Sequence, residues 1–285
     1  MTLVAERELI EMPPKSIGSV ERRGPGKVIA VWSPVGSPGK STIALNLAYE
    51  LASMGKRTLL IDLDLTAPSL GLMLNLGEPM AGVTAVARLV RQQRFDIEQL
   101  FRLSVGIKKA RVTLRFLPGL TSPKRWVEVT PETVTRLLNV ASSNFDAVIV
   151  DVASELSDSI FQTDHPVARN AATRQIIAEA NCVLSVISDT KISISRYLQQ
   201  FHELDSLNRS RLTIVNRFQG GSKIQAALKA LTKERVFATV PEDLPSAQLA
   251  EGLGLPLALA RRKSLARQAI AALAHKLLEW QPSQT

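Results

Sequence analysis

The chain has 285 residues, 45% hydrophobic and 21% charged, with a net charge of +9 and a single cysteine, Cys182. That size and apolar fraction suit one large α/β core, and no apolar run approaches the roughly 18 to 20 residues of a membrane-crossing helix. One cysteine excludes disulfides within the chain, zinc clusters and redox pairs, and the charged N-terminus carries no secretory pattern, so a cytoplasmic location is expected.

Residues 1–26 mix charges of both signs with Pro13, Pro14, Gly18, Gly24, Pro25 and Gly26 and show no sustained period. They read as a flexible leader, followed by one domain over 27–280 and a short tail over 281–285. The apolar run Val28–Trp32 predicts a buried strand. It enters a loop ending Gly39-Lys40-Ser41-Thr42, and the amphipathic run Ile43 to Met54 follows at once. Strand, small-residue loop, Lys-Ser-Thr and helix start, in that order, build a phosphate cradle from backbone N–H groups and a helix N-terminus. Gly36 and Gly39 stand where unusual backbone angles or close ligand approach are needed. Lys40 suits phosphate and Ser41 suits Mg²⁺. Pro34 and Ser37 occupy positions where glycine is common, and Pro38 has no N–H to offer.

Arg57–Asp62 predicts the next strand and completes a βαβ unit. A basic insertion over 72–125 follows, and ten Lys and Arg side chains between Arg88 and Arg125 face only Asp96 and Glu98. Such a concentration attracts nucleic acid, an anionic membrane surface or an acidic protein, or serves as a solvated face. Further strands are expected at Val112–Leu117, Ala147–Val152, Cys182–Ser188, Arg211–Asn216 and Val236–Val240. Helical patterns at Pro131–Ala141, Ala171–Ala180, Ser193–Leu207 and Ser222–Leu231 separate most of them. This alternation predicts a doubly wound, mostly parallel sheet of about seven strands with helices on both faces.

Ligands of such sheets bind beyond the carboxyl ends of the strands. There the chain places Asp62 and Asp64 after the second strand and Asp151 near the end of Ala147–Val152, where they can order Mg²⁺ or hold an attacking water. Asn216 can donate to N7 and accept from N6 of adenine. The turn Pro241-Glu242-Asp243 either closes a base pocket or is a plain strand-to-helix turn. The final pattern after Ser264, with its stripe Leu265, Ala269, Leu273, Leu277 and Trp280, reads as a helix packed on the domain in preference to a membrane-surface helix.

These pieces resemble the ParA/MinD family of deviant Walker A ATPases: the loop 35–42, Asn46-Leu47-Ala48, Leu60-Ile61-Asp62-Leu63-Asp64, Pro68-Ser69-Leu70, Asp151, Asn216-Arg217 and Pro241-Glu242-Asp243 fall in that family's order. The loop and the long insertion look most like the pilus-assembly and septum-site branch, similar to CpaE or TadZ. The resemblance implies a P-loop fold binding ATP and Mg²⁺. Gly36, Ser37, Gly39, Lys40, Ser41 and Thr42 would surround the phosphates, and Asn216, Arg217, Pro241 and Asp243 the base. Ser41, Asp62 and Asp151 would serve the metal, and Asp64, with Lys40, the chemistry. It also implies a nucleotide-dependent homodimer that positions a cellular assembly together with a protein partner. The family's extra loop lysine falls on Val35, which implies weak hydrolysis. The alternative is a scaffold of the same fold that has lost efficient nucleotide binding. A third reading, a metabolic enzyme of this fold such as a reductase subunit bridging an iron–sulfur cluster between protomers, is opposed by the single cysteine, since such clusters need four thiolates.

Overall fold

The computed structural model describes residues 10–11, 24–36, 38–77, 80, 82–109, 112–157, 168–220 and 223–281. Its strands are β1 (Ile10–Glu11), β2 (Lys27–Trp32), β3 (Thr58–Leu63), β4 (Val105–Lys109), β5 (Val112–Leu117), β6 (Ala147–Val152), β7 (Cys182–Ser188), β8 (Arg211–Phe218) and β9 (Val236–Pro241). They form one sheet in the order β1-β4-β5-β3-β6-β2-β7-β8-β9. The seven strands from β5 to β9 along that order pair in parallel, as the sequence predicts. The other two lie antiparallel at one edge, β4 on β5 and β1 on β4. Two residues of the expected leader, Ile10 and Glu11, thus belong to the sheet.

The helices are α1 (Lys40–Ser53), α2 (Leu70–Met73), α3 (Gly82–Arg91), α4 (Ile97–Leu103), α5 (Pro131–Ser142), α6 (Ala171–Glu179), α7 (Lys191–Leu207), α8 (Lys223–Thr232), α9 (Leu244–Leu253), α10 (Leu257–Ala260) and α11 (Leu265–Glu279). Alternation along each central strand feeds two separate cores. Val28, Ala30 and Trp32 pack with Leu59, Ile61, Val148 and Val150 under α3, α5, α6 and α7. Ile29 and Val31 pack with Leu60 and Ile149 under α1, α10 and α11. Burial on both faces is why these strands read as unbroken apolar runs.

The insertion is filled by α2 to α4, the hairpin β4–β5 and a 3₁₀ turn over Pro123–Glu128. Its charges do not form one surface. Arg115 on β5 is only 5% exposed; its guanidinium donates to Phe101 O, to Ser104 O at 2.6 Å and to Ser104 Oγ at 2.9 Å. Arg102 and Arg125 pair with Glu98 and Glu128. Arg88, Arg91 and Arg94 are exposed. Arg111 and the side chains of Lys108 and Lys109 lie outside the described residues.

Helix α11 packs on α1 and β9 through Ala266, Ile270, Leu273, Ala274 and Leu277. This is the packed reading of the final pattern, with the buried face turned away from exposed Leu265. Arg267 makes a two-pronged ion pair with buried Glu50 at 2.7 and 2.9 Å. Among the described residues no helix is long and apolar enough to cross a membrane.

Candidate functional site

The sheet order brings the carboxyl ends of β3, β6 and β2 side by side. Register sets Asp62 opposite Asp151, and Asp151 opposite Val31, one residue before the last of β2. The loop after β2 therefore leaves the sheet beside both carboxylates. It reaches α1 through Gly39, whose φ of 91° is the left-handed conformation glycine supplies without strain. Gly39 also yields space to Asn216, since a Cβ there would lie 2.3 Å from Asn216 Nδ2. The helix then starts at Lys40, and its side chain turns back over the sheet.

Lys40 Nζ lies 2.7 Å from Asp64 Oδ2 and 3.1 Å from Asp151 Oδ1, and it donates to Val152 O at 2.6 Å. Burial works against its charge, but the two carboxylates outweigh burial and hold the ammonium above its ordinary pKa. Asp64 is the mirror case. Burial would raise its carboxyl, yet the charge and hydrogen bond of Lys40, with the N–H groups of Ala67 at 2.8 Å and Thr66 at 3.0 Å, hold it below the usual value.

Asp62 differs because it faces no cation directly. It accepts from the N–H groups of Ser69 at 3.1 Å and Leu70 at 3.0 Å at the start of α2. Full burial, reinforced by the Asp151 charge, pushes its carboxyl up to about 8. Burial also raises Asp151, against the pull of Lys40. Asp151 is wholly buried, with the Lys40 ammonium 3.1 Å from Oδ1 and the Ser41 hydroxyl close enough to favour its charged form. Those two groups are the polar partners that its burial requires.

Lys40 and Asp64 open onto a cleft of about 520 Å³ lined also by Gly36, Gly39, Ser41, Thr42, Thr66, Ser69, Ser154, Glu155 and Arg217, whereas Asp62 and Asp151 are buried behind it. That volume lies within the range of small-ligand sites. Among the described residues no cluster of three or more His, Cys, Asp or Glu is arranged to hold a metal ion. A cation here would need ligands from a phosphate or from water. The residues fit Mg²⁺ on those terms: Ser41 lines the cleft and offers its hydroxyl, while Asp151, buried behind Lys40, would meet the ion only through its water shell.

The base-side residues are placed less openly. Asn216 is 7% exposed and donates from Nδ2 to Pro38 O at 2.7 Å. The proline that gives the loop no N–H thus gives Asn216 a carbonyl. Arg217, Pro241 and Asp243 border, with Asn216, a cavity of about 80 Å³, well short of a ligand-sized pocket. Asp243 caps α9, accepting from Ser246 N at 3.3 Å and from Ser264 Oγ at 2.6 Å. Asn46, part of the family-like pattern, accepts from Leu257 N at 2.7 Å and so braces α1 against α10. Ser37 lies outside the described residues.

Several contributors escaped the sequence reading. Val152 O and the N–H groups of Thr66 and Ala67 are backbone, so no residue type signals them. Ser69 Oγ donates to Ser41 Oγ at 3.0 Å, and a serine in the segment following Asp64 was the available clue.

Comparison with known proteins agrees with this geometry. An ATP-binding protein of uncharacterised function from Methanocaldococcus jannaschii is 26% identical over 254 residues, covering 88% of this chain and 87% of its own. A ParA family ATPase from Chlorobium tepidum superposes with a TM-score of 0.75 at 19% identity, covering 87% of this chain and 98% of its own. The septum site-determining protein MinD from Pyrococcus horikoshii, solved with Mg-ADP, gives a TM-score of 0.69 at 19% identity, covering 89% and 96%. Both show the fold. Residues 29–253 match the CobQ/CobB/MinD/ParA nucleotide binding domain, and the chain belongs to that family of P-loop proteins.

Proposed function

We propose that this protein is an ATP-controlled switch: it binds ATP with Mg²⁺ in the cleft above β2, β3 and β6, associates into a homodimer when loaded, and hydrolyses the nucleotide weakly. The observation that carries the reading is Lys40 at the cleft floor, held between Asp64 and wholly buried Asp151. Lys40 would exchange part of this carboxylate contact for phosphate oxygens. Ser41 and Thr42, at the first turn of α1, would meet the phosphates or the metal. Bound Mg²⁺ would neutralise phosphate charge. Asp64, kept ionised by its neighbours, is the group suited to orient or accept a proton from an attacking water.

The loop donates sparingly, since Pro34 and Pro38 lack N–H groups and Val35 brings no charge. That supports slow turnover and leaves a second reading, a non-hydrolysing scaffold, favoured by the engagement of Asn216 with Pro38 O. The assembly served is a septum, as the name of the solved MinD suggests, or a pilus or a partitioning apparatus, as the wider family resemblance implies, reached through a protein partner. Exposed Arg88, Arg91, Arg94 and Lys124 would contribute to a contact with DNA or an anionic membrane surface through the region 88–125.

The test measures ATP and ADP affinity and particle mass with ATP, with ADP and with neither, for the natural chain, Lys40→Ala and Asp64→Ala. The switch predicts an ATP-specific rise in mass that Lys40→Ala abolishes. Mass independent of nucleotide in all three proteins rejects it, and absence of binding selects the scaffold.

A further inference from the structure

Lys40 is committed to two carboxylates and a carbonyl, and the loop from Pro34 to Gly39 has no charged side chain of its own. A second cation reaches that loop from far along the chain. Arg196, on α7, donates from Nη1 to Val35 O at 2.9 Å. The approach is close enough that a Cβ on Gly36 would lie 2.5 Å from the same nitrogen. Gly36 therefore serves twice: its φ of 118° is disfavoured for side chains, and its bare Cα leaves room for the guanidinium.

Arg196 does not hold α7 in place. Its neighbour Tyr197 does that, wholly buried and hydrogen-bonded to Glu234 at 2.7 Å. Arg196 is exposed, and among the described residues no carboxylate pairs with it. A guanidinium has five N–H donors in a planar fork that matches phosphate. One donor goes to Val35 O, and the guanidinium stands just outside the cleft, against Val35 and Gly36, which line its mouth.

We infer that Arg196 is a phosphate-binding residue of this site, donating to a phosphate oxygen of the bound nucleotide while its Val35 contact fixes the loop. The inference rests on the nucleotide reading above and assigns it a residue outside the loop, the strand ends and the base-side turn.

The test compares ATP and ADP dissociation constants, at several salt concentrations, for the natural chain, Arg196→Ala, Arg196→Lys and the double variant Val35→Lys/Arg196→Ala. Loss of one charge-assisted hydrogen bond predicts about tenfold weaker binding for Arg196→Ala. The salt dependence should shrink, while Arg196→Lys retains most of the affinity. The double variant, which returns a cation to the loop itself, should recover binding. Unchanged affinity in Arg196→Ala overturns the inference. So does loss of affinity that neither lysine restores and that leaves the salt dependence intact, because the arginine would then act only as a brace for the loop. If the natural chain binds neither nucleotide, the site reading falls first and this one with it.

Discussion

Two regions concentrate charge, and the fold treats them in opposite ways. At the rim of β3, β6 and β2, one lysine and three aspartates are each less than a tenth exposed. In the segment from Arg88 to Arg125 the cations are more numerous, yet Arg88, Arg91, Arg94, Arg102, Lys124 and Arg125 lie in solvent. Charge in water is inexpensive and weakly coupled, whereas charge removed from water must find partners or change protonation state. The rim therefore carries interpretable chemistry, and the basic segment, despite holding most of the net charge, carries little. Arg115 is the exception that sharpens the contrast: it is basic by sequence position and interior by structure.

The largest expected effect tests the rim. Lys40→Ala leaves Asp64 and Asp151 buried without their cation, and breaking such a pair costs about 3–5 kcal/mol, measurable by urea denaturation at neutral pH. A loss below about 1 kcal/mol would mean that water reaches the carboxylates once the lysine is gone, placing them with solvated charges.

Arg115→Ala comes next. It removes the guanidinium donor to Ser104 O and one of two donors to Phe101 O at the C-terminal end of α4, and a loss of about 1–3 kcal/mol follows from under-satisfied buried groups. A neutral result would return Arg115 to the surface charges.

Asp62 provides a pH signature. Its carboxyl is held at about 8 in the fold against 3.8 ordinarily. Between those values the folded protein keeps a proton that the unfolded chain has lost. Unfolding free energy from this group therefore falls as pH rises through that window, with a limiting slope of about 1.4 kcal/mol per unit. Asp62→Asn, which preserves an acceptor for Ser69 and Leu70, should flatten the slope in denaturation series from pH 5 to 8. An unchanged slope would assign the titration elsewhere. The smallest effect is Arg102→Ala, which removes an exposed pair with Glu98 and should alter stability by less than about 0.5 kcal/mol.

The central strands were legible because burial on both faces writes them as apolar runs, and Asp62, Asp64 and Asp151 were legible because each follows such a run. The edge was not. Val105–Lys109 has too few apolar residues to announce a strand, and β1 gains its identity from pairing with β4. Arg115 was misleading for a related reason: it lies between Leu114 and Phe116 in the alternating pattern, and what covers it is α4, placed by tertiary packing. Arg196 sits 161 residues from its acceptor, a separation no local pattern bridges. Asp243 was visible as a turn residue, but its hydroxyl partner Ser264 was not.

The hydroxyl contact between Ser69 and Ser41 has an outward consequence. Ser41 Oγ accepts from Ser69 and keeps a second lone pair for a cation, while Ser69 is anchored through its N–H to Asp62. Ser69 opens α2, which carries Leu72, 77% exposed. One serine thus ties the interior of the cleft to a leucine on the outer surface.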